Sequence, residues 1–291
     1  MIKLYIRIKI KPYIASVRPK HWLKNIIIFV PLIYAHNLVK PDLFLTTIRC
    51  FVVFCFISSA VYVFNDIIDA EKDRKHPVKN KRPIASGQIS VRNAIILTAF
   101  LFFAGFSLAV IGQSNYYVVL LALSYVVLNF AYSFILKHIV IVDCFCIAAG
   151  FVLRIFVGGA ANNDRITEWL FLTITVVSLF MAFGKRRGEM IHVNDYFTTR
   201  KILANYDLQF LNGMMFVCAG LSVTFYALWA MTSVPLMIYT VPLVIFIICK
   251  YLLIIYCETS HGDPTSIILG DKSLMIASGL FGMISVILLY L

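Results

Sequence analysis

Three aspartates lie within a short stretch, residues 65–73, that directly follows a long apolar run. If the helix of that run continues, Asp66, Asp69 and Asp73 fall at positions i, i+3 and i+7 and share one helical face. Carboxylates on one face repel each other unless a cation lies among them. Mg²⁺ is a hard cation that binds one or two carboxylates together with waters and phosphate oxygens. The spacing therefore predicts Asp66, Asp69 and Asp73 as catalytic Mg²⁺ ligands, with Asn65 beside them as a substrate-binding residue.

A strongly basic stretch follows these acids and is interrupted by prolines and a glycine. Bases that bind phosphate oxygens, placed next to acids that bind a metal, are typical of a diphosphate site. Either half alone has a simpler explanation, a solvated acidic helix end or the basic fringe of a membrane protein. The combination favours a diphosphate site, and it predicts Lys75, Lys79 and Arg82 as substrate-binding residues.

The composition defines the elements that must position these residues. Of the 291 residues, 61% are hydrophobic and 14% are charged, whereas a soluble domain is roughly half apolar and about a quarter charged. A soluble enzyme, a disordered regulator and a disulfide-stapled secreted module are excluded. A transmembrane helix needs about 20 residues, so the chain has room for about nine. We expect an all-α, polytopic membrane protein, a single domain over residues 1–291.

Nine apolar runs are candidates for these helices, and the first, interrupted by Pro31, is the weakest. The runs are Ile26–Ala35, Leu43–Phe64, Ala94–Ile111, Tyr116–Leu136, Cys144–Ala161, Trp169–Phe183, Phe210–Met231, Leu236–Cys257 and Leu274–Leu291.

The net charge is +12, and the positions of the basic residues along the chain are typical of a membrane protein. Most Lys and Arg residues fall in the N-terminal segment 1–25, the Asp-rich and basic loop 65–93 and the stretch 184–209. An excess of Lys and Arg marks the cytoplasmic side, so the N-terminus is predicted to be cytoplasmic. No nucleic-acid-binding motif is present. The seven cysteines lie in or beside apolar runs and are predicted to be reduced packing residues.

Other polar residues near this face are candidates for binding phosphorylated substrates. Asp143 and Arg154 share one face of the fifth run, and an ionisable residue inside a span is a functional candidate. An Asp–Arg or Arg–carbonyl pair that only holds helices together is the alternative for Arg154. Snorkelling to lipid phosphates is the alternative for the bases that end the sixth run. The predicted substrate-binding set is Lys20, Lys24, Tyr132, Lys137, Asp143, Arg154, Lys185 and Arg186.

The motif Asn65-Asp66-x-x-Asp69-x-x-x-Asp73 resembles the first Asp-rich motif of the UbiA superfamily of intramembrane prenyltransferases. Within that superfamily the chain looks closest to the decaprenyl-phosphate phosphoribosyltransferases. The stretches that carry the closer likeness are Arg18–Asn25, His76–Lys79, Arg82–Gly87, Tyr132–Lys137 and Gly184–Glu189.

The resemblance implies a bundle of about nine helices with a magnesium–diphosphate site at its cytoplasmic mouth. It implies transfer of 5-phosphoribose from phosphoribosyl diphosphate to a polyprenyl phosphate, with release of diphosphate. It further implies a multi-pass protein of a bacterial inner membrane that contacts membrane lipids and supplies arabinan precursors for the cell envelope. The resemblance leaves open whether the protein forms a homo-oligomer.

Two alternatives remain at this stage. The first is a prenyltransferase of the same superfamily that moves a prenyl group onto an aromatic acceptor. Such enzymes carry a second pair of aspartates, whereas Asp143 has no second carboxylate nearby in sequence, which counts against this alternative. The second is a transporter, in which charge within the membrane would be expected. Here most polar residues cluster at one face, which favours an enzyme.

Overall fold

The computed structural model describes residues 2–75, 79–111, 115–192, 201–257 and 264–290, and every regular element in these ranges is helical. The predicted motif residues 76–78 lie outside the described residues. The helices are α1 (Ile2–Val17), α2 (Val30–Tyr34), α3 (Pro41–Ile68), α4 (Ala70–Lys75), α5 (Val91–Ile111), α6 (Tyr116–Phe134), α7 (Val142–Asn162), α8 (Glu168–His192), α9 (Leu208–Ser233), α10 (Val241–Cys257), α11 (Pro264–Gly270) and α12 (Lys272–Tyr290).

Eight helices in the described part of the chain are long and apolar enough to cross a membrane: α3, α5, α6, α7, α8, α9, α10 with the turn before it, and α12. The predicted all-α, polytopic fold is confirmed. Large apolar side chains on the outer surface of α5 are exposed, for example Phe100 and Phe103, which is 73% exposed. Such side chains would be unfavourable in water and suit a surface that faces lipid.

The first predicted span, Ile26–Ala35, is not a long α-helix and is therefore not among the eight spanning helices of the described residues. A 3₁₀ helix, Pro19–Phe29, leads instead into the short α2. Pro31 contributes to this because proline has no backbone N–H to extend an α-helix. At about 2.0 Å per residue in a 3₁₀ helix and 1.5 Å in an α-helix, this segment still extends about 30 Å.

This first segment, Pro19–Tyr34, runs antiparallel to α3 along most of its length. The indole Nε1 of Trp22 donates to the Ser59 hydroxyl at 3.0 Å, and the ring of Phe29 packs against that of Phe51. On its other side a Cβ at Gly158 of α7 would lie 2.1 Å from the Ile28 carbonyl oxygen. Only glycine therefore allows α7 to approach this segment so closely.

Four apolar clusters of buried side chains occur among the described residues, and α7 contributes to the two largest of them. One includes Phe54 of α3, Tyr125 of α6 and Val157 of α7. The other includes Cys144 of α7 and residues of α8, α9 and α10. Helix α7 therefore joins the two halves of the bundle, and its first turn, at Asp143, lies between them.

Two helix ends differ from the sequence-based expectation, and both lie at the end of the bundle where α3 finishes, which we call the aspartate end. Helix α3 stops at Ile68 and α4 restarts at Ala70, so the aspartates do not lie on one continuous helix. Helix α8 continues past the predicted end at Phe183 to His192. Lys185 and Arg186 therefore lie within a helix rather than in a loop.

Candidate active site

The three predicted aspartates come together despite the break in the helix. Asp66 is on the last turn of α3, Asp69 caps that helix, and Asp73 is on α4. One guanidinium nitrogen, Nη1 of Arg82, donates to Asp66 Oδ1 at 3.0 Å and to Asp73 Oδ2 at 2.6 Å. Asp66 and Asp73 therefore share a single cation, and their side chains converge as the spacing predicts.

Arg18 is a member of this cluster that the sequence analysis did not select. Its Nη2 donates to Asp66 Oδ1 at 2.6 Å, and its guanidinium lies 5.2 Å from the centre of the Tyr62 ring. The Arg18 backbone is left-handed, with φ 54° and ψ 61°. That conformation is unfavourable for a residue with a side chain, and the following proline disfavours it further. Strain of this kind tends to occur at functional sites.

The end of α6 closes the cluster on the opposite side. Lys137 Nζ lies 3.2 Å from Asp69 Oδ1, and the Ser133 hydroxyl contacts the amide oxygen of Asn65. The predicted residue Lys137 therefore belongs to the cluster, and the predicted residue Asn65 lies beside it. We define the carboxylate–cation cluster as Asp66, Asp69, Asp73, Arg18, Arg82 and Lys137.

The carboxylates of this cluster differ in their exposure to solvent. The side chains of Asp66 and Asp73 are 3% and 6% exposed, whereas that of Asp69 is 30% exposed. Burial raises the pKa of Asp73, and the Arg82 guanidinium opposes this rise. The raised pKa shows that nearby cations only partly offset the loss of hydration.

A second charged network lies next to this cluster, and the ion pair at its centre is closed to solvent. Arg186 on α8 donates from Nε to Asp143 Oδ2 at 2.5 Å and from Nη1 to Glu189 Oε2 at 2.6 Å. Its Nη2 donates to the Tyr132 hydroxyl at 3.1 Å. The side chains of Asp143 and Arg186 are both 0% exposed. Asp143, Arg186, Glu189, Tyr132 and Tyr206 are called the buried network below.

Tyr206 completes the buried network from the segment before α9. Its hydroxyl donates to Asp143 Oδ1 at 2.6 Å and accepts from the backbone N–H of Ile141 at 2.7 Å. Burial raises the pKa of Tyr206, and the bond to Asp143 raises it further, so the hydroxyl stays protonated and donates. Both oxygens of Asp143 therefore have a donor. The sequence analysis did not identify Glu189 or Tyr206.

Arg154 does not pair with Asp143, although both lie on α7. Its guanidinium donates to the Asn25 amide oxygen at 2.7 Å, the Gly150 carbonyl at 2.6 Å and the Tyr125 hydroxyl at 3.0 Å. It also lies 4.7 Å from the centre of the Tyr125 ring. The alternative of an Asp143–Arg154 pair is wrong, because Asp143 pairs with Arg186. The Arg–carbonyl alternative for Arg154 agrees with its bond to Gly150.

The remaining predicted bases are distributed around the same end of the bundle. Lys20 and Lys75 are exposed, whereas Lys24, Lys79 and Lys185 are half-buried. Lys79 lies close enough to Asp73 for its charge to lower the pKa of that carboxyl.

The carboxylate–cation cluster supplies the type of ligand that Mg²⁺ prefers, namely carboxylate and amide oxygens on Asp66, Asp69, Asp73 and Asn65. Among the described residues, no three His, Cys, Asp or Glu side chains are already arranged as a metal-ligand set. Each of the three carboxylates is instead paired with Arg or Lys. The residues fit the metal by their chemistry, but binding requires these cations to move.

An all-helical, multi-pass bundle with a mixed acidic and basic site at one end defines the class of membrane protein to which the chain belongs. The model of the UbiA prenyltransferase family matches residues 26–267. The chain belongs to this family, and the resemblance noted in the sequence is confirmed.

Two relatives and one solved structure give more detail. The decaprenyl-phosphate phosphoribosyltransferase of Corynebacterium glutamicum is 34% identical over 219 residues, which cover 74% of this chain and 66% of that protein. That of Mycobacterium tuberculosis is 31% identical over 223 residues, 75% of this chain and 73% of that protein. The chain thus spans about two thirds of the first relative's length.

The structure of a UbiA homologue from Archaeoglobus fulgidus bound to GPP and Mg²⁺ superimposes with a TM-score of 0.73 at 16% identity. It covers 96% of this chain and 100% of that protein. At this level of identity the likeness concerns the fold, which is that of UbiA membrane proteins.

Proposed function

We propose that this chain transfers 5-phosphoribose from phosphoribosyl diphosphate to a polyprenyl phosphate and releases diphosphate. The observation that carries the proposal is the carboxylate–cation cluster, in which acids able to hold Mg²⁺ alternate with bases able to hold phosphate oxygens. Two relatives with over 30% identity bear the name decaprenyl-phosphate phosphoribosyltransferase, which supports the same reaction.

The donor's diphosphate would lie at the carboxylate–cation cluster. Asp66, Asp69 and Asp73 would hold Mg²⁺, which when bound neutralises charge on the leaving diphosphate. Arg82 and Lys137 would donate charge-assisted hydrogen bonds to diphosphate oxygens, and Arg18 would act from the other side of Asp66. Lys75, Lys79 and Lys185 would bind the donor's 5-phosphate.

The reaction needs no group that removes a proton. The bond between ribose C1 and the diphosphate oxygen breaks, and diphosphate leaves with the electron pair. An oxygen of the polyprenyl phosphate forms the new bond to C1. Because that oxygen is already ionised at neutral pH, the chain has to orient it rather than deprotonate it. Orientation of this kind is a major part of enzymatic rate enhancement.

The acceptor is a lipid, which explains why a membrane-embedded chain would catalyse the reaction. Lys20 and Lys24 begin the first segment at the aspartate end, and Arg154 lies deeper on α7. These bases are the candidates for binding the acceptor phosphate, with its polyprenyl tail between helices and open to lipid. We further propose that this end of the bundle faces the cytoplasm, because the surplus of Lys and Arg is concentrated there.

A second candidate function is prenyl transfer to an aromatic acceptor, and the family name and the GPP-bound homologue favour it. The buried network argues against it in this chain. Asp143, the candidate for a second metal-binding aspartate, has both carboxylate oxygens occupied by Arg186 and Tyr206. A prenyl diphosphate held between two acidic clusters would need that carboxylate to be available.

Donor competition distinguishes the two functions. Purified protein in lipid nanodiscs, with Mg²⁺ and a polyprenyl phosphate, is given labelled phosphoribosyl diphosphate or labelled geranyl diphosphate with an aromatic acid. We expect organic-extractable label only from phosphoribosyl diphosphate, and none when a neutral polyprenol replaces the lipid phosphate. Label transferred from geranyl diphosphate alone would establish the second function instead.

A further inference from the structure

The carboxylate–cation cluster is balanced without any ligand. Asp66 pairs with Arg18 and Arg82, Asp73 pairs with Arg82, and Asp69 pairs with Lys137. Three carboxylates thus meet three cations. In a site this poorly exposed to water, a balanced set of charges is far more stable than one with an excess of either sign.

Arg82 lies where the carboxylates are closest to each other. Its Nη1 is within hydrogen-bond distance of both Asp66 Oδ1 and Asp73 Oδ2. Asp66 Oδ1 also accepts the bond from Arg18. A divalent cation that uses these same oxygens must displace the guanidinium of Arg82. It must also weaken the hydrogen bond from Arg18 to Asp66.

Replacement of these cations by the metal alone is electrostatically unfavourable. It would add two positive charges to a balanced cluster, and it would leave displaced guanidinium groups without an anionic partner. The side chains of Arg18 and Arg82 are only 22% and 30% exposed, so water compensates for this loss in part only. Diphosphate removes the difficulty, because its oxygens are better partners for arginine than water is.

We infer that Arg18 and Arg82 are exchangeable counter-ions. When the metal binds, their guanidinium groups move from Asp66 and Asp73 to the diphosphate of the donor. This inference rests on the proposed magnesium–diphosphate site. Its consequence is that metal and diphosphate bind together and that neither binds well alone. The coupling protects the carboxylates from the metal until the donor is present, and Arg82 is the residue that enforces it.

The test measures binding rather than turnover. Mn²⁺ serves as a paramagnetic probe for the metal and inorganic diphosphate as the probe for the donor, and binding to purified protein in nanodiscs is followed by electron paramagnetic resonance. The soluble Mn²⁺–diphosphate complex is titrated separately and subtracted. In the unmodified chain we expect diphosphate to tighten Mn²⁺ binding about tenfold or more, a typical coupling between two sites.

Substitution of Arg82 should make the binding of Mn²⁺ largely independent of diphosphate. In Arg82→Gln, Mn²⁺ alone should bind several-fold more tightly, because its ligands are no longer blocked, and the effect of diphosphate should largely disappear. Arg18→Gln should show the same change to a smaller degree. Arg165→Gln is the matched control, since Arg165 also pairs with an acid, Glu168, but is 82% exposed. It should behave like the unmodified chain.

Two outcomes would overturn the inference: Mn²⁺ binding that is equally tight with and without diphosphate, or Mn²⁺ binding that weakens in Arg82→Gln. Either is distinguishable from failure of the proposed function. Coupled binding without phosphoribosyl transfer would refute only the proposed reaction, whereas transfer without coupling would refute only the exchange of counter-ions.

Discussion

Two charged networks lie side by side at the aspartate end, and the last turn of α6 contacts both. Ser133 contacts Asn65 next to the carboxylate–cation cluster, while its neighbour Tyr132 accepts a hydrogen bond from Arg186 in the buried network. Both networks contain carboxylates paired with basic side chains. They differ in access, because Asp69 and Arg82 are each 30% exposed whereas Asp143 and Arg186 are fully enclosed.

The difference shows how the same residue types serve two purposes. In the carboxylate–cation cluster, one nitrogen of Arg82 is divided between two carboxylates, and solvent reaches the group. In the buried network, Arg186 has a separate partner for each of its three nitrogens. We therefore interpret the first network as one that exchanges partners with substrates and the second as a permanent link between α6, α7 and α8.

The largest effect should come from removing a carboxylate of the carboxylate–cation cluster. Asp66→Asn keeps the size of the side chain but removes the charge that Mg²⁺ needs, so we expect turnover to fall about 1,000-fold or more, a loss of at least about 4 kcal/mol of transition-state stabilisation. Initial rates over a magnesium titration measure the effect, and Asp69→Asn should behave similarly. Near-normal rates in both variants would show that these residues do not bind the metal.

Breaking the buried network should instead reduce stability. Arg186→Met leaves Asp143 charged and enclosed, which typically costs about 3–5 kcal/mol. The thermal unfolding midpoint in detergent should fall strongly. The double variant Arg186→Met/Asp143→Leu should recover part of the loss, since it removes both charges. If Arg186→Met unfolded normally and only donor binding weakened, Arg186 would belong with the substrate-binding residues.

A smaller effect is expected when a cation of the carboxylate–cation cluster is removed. Arg82→Gln should raise the KM for the soluble donor about tenfold, equivalent to about 1.4 kcal/mol, and should change the KM for the lipid acceptor much less. Its unfolding midpoint should fall less than that of Arg186→Met, because Arg82 is 30% exposed whereas Arg186 is fully enclosed. An increase confined to the lipid KM would assign Arg82 to the acceptor.

The smallest effect should come from the edge of the buried network. Tyr206→Phe removes the hydrogen bond to Asp143 and the one accepted from the Ile141 N–H, but it leaves the ion pair with Arg186. We therefore expect a loss of about 1 kcal/mol in the free energy of unfolding. Denaturation with a mild chaotrope measures this loss. Kinetic constants should be unchanged, and a fall in turnover without a fall in stability would contradict the separation of the two networks.

The sequence predicted the features that depend on local pattern. Long apolar runs located the spanning helices. The spacing of the aspartates predicted that Asp66 and Asp73 converge, as they do on Arg82, even though the helix breaks at Asp69. Features that depend on contacts between distant segments were not predicted. Asp143 and Arg186 are 43 residues apart, and nothing near either residue indicates that they pair with each other rather than with Arg154 or lipid.

Arg18 and the first segment were missed for a related reason. Basic residues near a membrane surface are common, and only the left-handed backbone before Pro19 and the contact with Asp66 distinguish Arg18 from its neighbours. Likewise, hydropathy can identify the run Ile26–Ala35 as apolar, but it cannot show that a tight 3₁₀ helix will replace an α-helix there. The packing against α3 and Gly158 determines that form.

The bond between Asn25 of the first segment and Arg154 of α7 has a consequence for how the chain is made. An arginine at the centre of a spanning helix costs about 2.5–3.5 kcal/mol on insertion, and in the finished bundle Asn25, Tyr125 and the surrounding rings compensate Arg154. Asn25 leaves the ribosome 129 residues before Arg154, a delay on the order of ten seconds at cellular rates of synthesis. During that interval the first segment has no final place in the bilayer. We expect it to wait at the membrane surface and to enter the bundle only after α7 has been inserted.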